Sequence, residues 1–300
     1  MMITMAEILR LSDVERAEMQ KGFFRELSIG MWAPFEPQIM KLLLNTLGPR
    51  KLFSSQTTLK IIDRLIGMSI YTQVATYDEM VAFIKSIPDD FTIACGPCAC
   101  RKNTLAEAGN DARDLAAGKF DLCQPSPLNL DIQFGVSGDK FMKCEGYRPI
   151  SKPELLELEK ESRNMGLVSN MYVMAGGEGS ICHCSSATCV PLIVYNNLHN
   201  DKARVIKKGG FISATDSGAC DITGNCAKVC HFGAREIVMR NGTASLQYHP
   251  SKCYGCGLCE VACQNNAVSM AARSLGGAGL GLTFIEGRSK LFTLFPCLPL

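Results

Sequence analysis

No stretch of this 300-residue chain reaches the eighteen or so uncharged apolar residues that a membrane-spanning helix needs. The most apolar run, Ile61 to Gln73, carries Asp63 and Arg64. A surplus of either charge is lacking too: 31 basic and 29 acidic residues leave a net charge of +2. That balance excludes a nucleic-acid footprint and a strong acidic field. Charged residues make up 20% and hydrophobic residues 47%, which excludes wholesale disorder. Residues Met1 to Glu18 lack the apolar block and small-residue cleavage site of a signal peptide, so a cytoplasmic location is expected. There is no Walker lysine motif and no serine-hydrolase elbow. The glycine run Gly276 to Gly281 lacks the strand and helix that flank a dinucleotide loop and reads as a flexible tail. No catalytic residue can be assigned.

What the chain has in abundance is cysteine, sixteen in all. In a cytoplasmic chain so many thiols read as metal ligands or redox groups rather than disulfides. Residues 1–94 have none, 95–189 have eight, 190–219 have none, 220–263 have seven, and Cys297 stands alone. These blanks and clusters predict an α+β chain in four parts. A helical region spans 1–90, and a mixed cysteine-rich domain spans 91–205. A second cysteine-rich domain spans 206–273, and a glycine-rich apolar tail spans 274–300. Apolar spacing predicts helices over Gln38–Leu47 and Thr57–Tyr71. Capping boxes at Thr76–Glu79 and Ser151–Glu154 open two more, the latter stopping at Gly166. Phe91–Ala94 and Leu167–Met174 suit strands, and Ala187–Leu198 suits a helix interrupted near Pro191. The middle cysteines are expected in the connecting turns.

Residues 220–263 hold an internal repeat. Cys253, Cys256, Cys259 and Cys263 spell C-x2-C-x2-C-x3-C. An offset of 33 places Cys220, Thr223, Cys226 and Cys230 on the same pattern, with Gly224 under Gly257 and Ala234 under Ala267. Zinc also uses C-x2-C pairs, but it does not need this run repeated at a fixed offset. From about Phe211 to Ala271 the sequence resembles the bacterial dicluster ferredoxin family. In that family the fourth cysteine of each motif ligates the other cluster. The resemblance implies one [4Fe–4S] cluster on Cys253, Cys256, Cys259 and Cys230. It implies a second on Cys220, Cys226 and Cys263, with Thr223 where a cysteine belongs. That substitution points to a [3Fe–4S] or labile four-iron cluster there, or else to an empty site or an unusual ligand. His231 and Gln264 replace the family's proline after each fourth cysteine.

Cys95-Gly96-Pro97-Cys98-Ala99-Cys100-Arg101 follows the expected strand, and Cys182-His183-Cys184 and Cys189 come later. Local density marks Cys98, Cys100, Cys182 and Cys184 as metal ligands, with Cys95, Cys123 and Cys189 in reserve. Two strands ending at one sheet edge would bring the two groups together. Over roughly Thr76 to Ala271 this arrangement resembles larger iron–sulfur proteins of anaerobic bacteria, in which a Cys-x-Cys-Arg segment precedes a C-terminal ferredoxin module. Zinc is a rival here, made credible by His183. Cys123, Cys144 and Cys297 also read as small buried hydrophobes. Arg101 and Lys102 read equally as charge partners of a cluster or as a solvated helix start.

The expected function is electron transfer through at least one [4Fe–4S] cluster, with two or more anticipated. The chain would act as a subunit that exchanges electrons with redox protein partners in a larger complex. Phe292, Phe295, Leu298 and Leu300 offer an apolar tail that can dock on a partner. The alternatives are an iron–sulfur oxidoreductase with its own substrate site in the middle domain, and a zinc or cluster sensor.

Overall fold

Thr76 and Glu79 cap the first helix reciprocally. The Thr76 hydroxyl accepts the Glu79 N–H at 3.3 Å, and the Glu79 carboxylate accepts the Thr76 N–H at 2.9 Å. Two orphan donors of the helix start are thereby satisfied. A computed structural model describes residues 56–57, 59–60, 71–101, 129–173, 179–198 and 206–273. The helix expected at 38–47, most of the one expected at 57–71, Lys102, Cys123 and the tail from 274 onwards lie outside them.

The first part of the fold runs β1 (Tyr71–Val74), α1 (Tyr77–Ser86), β2 (Ile93–Gly96), β3 (Asp131–Phe134), α2 (Val136–Phe141), β4 (Arg148–Pro149), α3 (Lys152–Asn164), β5 (Val168–Val173), β6 (Gly179–Cys184) and α4 (Val190–Leu198). Its strands make one six-stranded sheet, β1-β5-β6-β3-β2-β4, with every neighbouring pair antiparallel. The domain boundary expected at residue 90 falls inside this unit. β1 pairs with β5, and Met80, Phe83 and Ile84 of α1 share an apolar cluster with Leu155 of α3. Ser151 caps α3 by accepting the Glu154 N–H at 3.3 Å, and Gly166, at φ +76°, follows its end. Pro191 does not interrupt a helix as expected. It lies in the first turn of α4, where the missing N–H costs nothing.

Alternation along the strands gives the sheet two distinct faces. Cys95, Ile132, Met171 and Ile181 point to the face covered by α1 and α3. Val74, Val168 and Cys184 point to the other, where Cys189 and α4 pack.

The second part contains β7 (Phe211–Thr215), α5 (Asn225–Lys228), β8 (Arg235–Arg240), β9 (Thr243–Tyr248), α6 (Leu258–Val261) and β10 (Val268–Ala272). β7 pairs with β10 and β8 with β9, both antiparallel. The offset of 33 seen in the cysteines holds for the fold: α5 maps onto α6, β8 starts where β10 does, and Gly224 and Gly257 cap the two short helices. Mixed helix and strand fits the α+β class.

The two parts share one core. Val229, Phe232, Tyr254, Cys256 and Leu258 join the cluster that holds Cys184, Cys189 and α4. The Tyr254 ring stacks on Phe232 at 4.3 Å and meets Tyr195 of α4 edge-on at 4.8 Å. Gly209 lies at the seam, where a Cβ would come within 2.4 Å of the Val74 carbonyl, so only glycine fits there.

Candidate metal centres

The second part builds its thiols into two facing loops. The loop from Cys253 to Gly257 turns back twice through positive φ, +80° at Gly255 and +78° at Gly257. A Cβ at Gly255 would lie 2.3 Å from the Phe211 carbonyl. These turns aim Cys253, Cys256 and Cys259 into one cavity, and Cys230 enters it from the other half. All four ligands of the first implied cluster therefore line a single cavity, beside Arg235. Cys226 lies close to Cys220 and Cys263, which assembles the second set. The Ala234 N–H donates to Cys230 Sγ at 3.2 Å, and the Ala267 N–H donates to Cys263 Sγ at 3.2 Å. Such N–H···S bonds hold thiolates in place and stabilise the charge of a cluster.

The surroundings set the thiols apart. Burial pushes Cys259 up to about 11 and raises Cys256 as well. Cys253 is buried too, yet donors from Ser213, Tyr248 and Gly255 outweigh that burial and hold it below its ordinary value. Arg235 was not foreseen from the sequence. Its guanidinium is buried and donates to Thr215 Oγ1 at 2.7 Å, and its charge opposes the burial that raises both Cys226 and Cys259. Its charge thus acts on a thiol of each set.

The middle thiols also assemble, though not all as expected. β2 and β6 are both antiparallel to β3, so they run parallel to each other and finish at the same edge. Gly96, Asp131 and Cys182 lie level across the three strands. The turn after β2 then carries Cys98 and Cys100 onto the face that bears Cys182 and Cys184. Cys182 and Cys184 sit on β6 itself rather than in a turn. Cys189, held in reserve by the sequence reading, joins them. Cys98 lies against Cys100, Cys182 against Cys184, and Cys184 against Cys189. Cys95 does not join. Alternation sends it to the opposite face, where it faces the Asn129 carbonyl at 3.4 Å, and burial pushes it up to about 11. Cys144 lies apart, after α2, with Sγ 4.0 Å from the Lys140 carbonyl.

Alternation also turns His183 away from its two cysteine neighbours. Its Nε2 lies 2.9 Å from Glu159 Oε2 and its Nδ1 3.3 Å from the Leu130 carbonyl, on the α3 side of the sheet. This corrects the zinc reading in so far as it relied on His183. Arg101 is no solvated helix start: it is 2% exposed and donates to the His183 carbonyl at 2.8 Å. The Cys100 contact, opposed by burial, and the Arg101 charge together lower Cys98 to about 7. Cys182 feels the Cys184 contact pulling it down, but burial and the charges of Asp131, Cys98 and Cys189 carry it up to about 11.

The Tyr172 hydroxyl faces the same thiols, fully buried and without a hydrogen-bond partner. A buried orphan hydroxyl beside five converging thiols calls for a group that supplies polar atoms. The sulfides and thiolates of an iron–sulfur cluster fit that requirement. Among the described residues no three such side chains crowd around a single-ion point. A cubane does not ask for one, since each thiolate binds its own iron.

Two buried bridges link the middle pocket to the second part. Arg163 of α3 donates to the Cys256 carbonyl at 2.7 Å, to the Ala75 carbonyl at 2.7 Å and to Glu159 at 3.0 Å. Glu159 in turn accepts from Ser169 at 2.6 Å and holds His183. His231, in the place of the expected proline, accepts the Ser186 N–H at 3.1 Å on Nδ1 and donates to the Gly166 carbonyl at 2.7 Å from Nε2. Its unbroken burial lowers it to about 4, so it is neutral. The motif spacing gave no sign of Arg163. For His231 the missing proline was the signal.

Residues 204–269 match the family described as 4Fe-4S dicluster domain. A comparison with curated proteins found no match. The C-terminal region is a ferredoxin-type dicluster module, and the groups it indicates are [4Fe–4S] clusters. Its chemistry is iron–sulfur electron transfer, which implies redox partners. Among the described residues no helix is long and apolar enough to cross a membrane.

Proposed function

We propose that this chain is an electron-relay subunit that passes single electrons between the dicluster module and a third iron–sulfur site in the middle domain. The observation that carries this reading is the convergence of Cys98, Cys100, Cys182, Cys184 and Cys189 in one buried group of thiols, four of which share an apolar core with Cys256 and Cys230. Five thiols offer four ligands and one spare, with Cys182 and Cys184 on a rigid strand. Cys256 and Cys230 share the core of the middle thiols, whereas Cys226 and Cys263 belong to a separate cluster with Cys259, which supports the Cys253 set as the middle station. The Arg163 and His231 bridges fix the first gap at atomic contacts, and a fixed gap is what an electron relay needs. Near-neutral charge suits a cytoplasmic subunit bound in a larger complex better than a freely diffusing acidic carrier.

The test is iron and acid-labile sulfide content with EPR before and after reduction, on the full chain purified anaerobically. Three clusters are expected in the wild type and two in a Cys182→Ser, Cys184→Ser double variant. Stoichiometric zinc in the middle domain, or equal iron in both proteins, would end the relay at the C-terminal module.

A further inference from the structure

The two cluster loops are backbone copies that differ in one ligand. The second reads Cys253, Tyr254, Gly255, Cys256, Gly257, with positive φ at Gly255 and Gly257. The first reads Cys220, Asp221, Ile222, Thr223, Gly224, with φ +57° at Ile222 and +79° at Gly224. A left-handed conformation is strained for an L-residue, and a β-branched one sits there least readily. The first loop thus keeps the cluster-cradling shape at a cost, although its second thiol is gone. Its remaining thiols still assemble, with Cys226 close to Cys220 and Cys263.

The loops also differ in exposure. Tyr254 is 1% and Cys256 9% exposed, whereas Ile222 is 40% exposed and Asp221 and Thr223 are exposed beside it. One Asp221 oxygen is engaged by the Thr223 N–H at 3.3 Å. A threonine hydroxyl keeps its proton at neutral pH and is a poor match for iron already bound by soft sulfur. The position where the family places its second thiolate therefore holds no thiolate and lies in an exposed stretch, Asp221 to Thr223.

We propose that the cluster on Cys220, Cys226 and Cys263 is a binding site for small external thiols, which ligate the iron left open at Thr223. A thiol that enters gives its proton to the solvent species it displaces, one iron–sulfur bond replaces one iron–oxygen bond, and no electron changes hands. The inference rests on the reading of the C-terminal region as a dicluster module. It adds a ligand-exchange site at the surface end of the relay.

The experiment titrates mercaptoethanol into the anaerobically purified full chain and follows the EPR spectrum of the reduced protein and its Mössbauer spectrum. One of the module's clusters is expected to shift saturably while its twin stays unchanged. Mild oxidation with ferricyanide plus a chelator should take one electron and one ferrous ion from that cluster alone and leave the signal of an oxidised three-iron cluster. Both responses should vanish in Thr223→Cys. A wild type whose spectrum ignores the thiol overturns the proposal, and a change only after Asp221→Ala hands the corner to Asp221 and overturns it too. Should Thr223→Cys fail to fold, the wild-type Mössbauer spectrum decides alone: one iron distinct from the rest is expected, and fully thiolate-bound irons refute. Absence of iron at Cys253, Cys256, Cys259 and Cys230 as well would overturn both this inference and the electron-transfer reading.

Discussion

Arg163→Met tests the joint between the two parts of the molecule. The guanidinium is 4% exposed and makes three charge-assisted bonds, to the Cys256 carbonyl, the Ala75 carbonyl and the Glu159 carboxylate. Methionine fills much of the volume but donates nothing. Glu159 is itself fully buried, and His183 and Arg163 together hold it ionised against that burial. Removing one partner of a buried ion pair costs about 3–5 kcal/mol. Two orphaned carbonyls, each costing about 1–3 kcal/mol when left unpaired, carry the total beyond that range. The loss is a large share of the roughly 5–15 kcal/mol that holds a domain together. The assay is anaerobic denaturant unfolding of the cluster-loaded chain, compared with Glu159→Gln and with the double variant. The double variant removes the charge as well as its partner, so it should cost less than the two single changes combined by more than 1 kcal/mol or so. A single-variant loss below about 1 kcal/mol, or strict additivity, would refute the reasoning.

Three further outcomes are expected. His231 is held neutral at about 4, whereas in the unfolded chain it titrates near the ordinary value of 6.5. Between those values the unfolded state binds more protons, so stability falls as pH drops through this window, by about 3 kcal/mol in total, and levels off below it. Anaerobic unfolding of wild type and His231→Asn across the window should show that slope flattened in the variant, and equal slopes would count against the assignment. Arg235→Met should lower the reduction potentials of both module clusters, because a buried cation beside them favours the more negative reduced state, while Arg235→Lys should keep most of the effect. Potentials unchanged in EPR-monitored redox titrations would show that Arg235 is only a scaffold. Cys256→Ala should lose one cluster and destabilise the module, whereas Cys95→Ala should leave iron and sulfide content unchanged. Loss of iron in the Cys95 variant would contradict its placement on the far face of the sheet.

The dicluster module was legible because its information is local and repeated. Three thiols within seven residues form the motif by spacing alone, and the offset of 33 carried the pattern to Cys220, Cys226 and Cys230 with only Thr223 out of place. The caps at Thr76 and Ser151 were legible for the same reason, since a hydroxyl and the N–H it caps lie three residues apart. The middle pocket was not local. Cys98 and Cys182 meet only because β3, which begins at Asp131 long after β2 ends at Gly96, pairs with both β2 and β6 and sets them parallel. Once Cys182-His183-Cys184 is a strand, its period of two dictates that the thiols share one face and His183 the other. The same rule removes Cys95 from the pocket, and no count of cysteines contains that rule until the strand register is known. Arg163, His231 and Arg235 owe their roles to burial between elements that are distant in sequence. A buried charge or imidazole takes its meaning from the groups packed around it, and those groups are chosen by the fold.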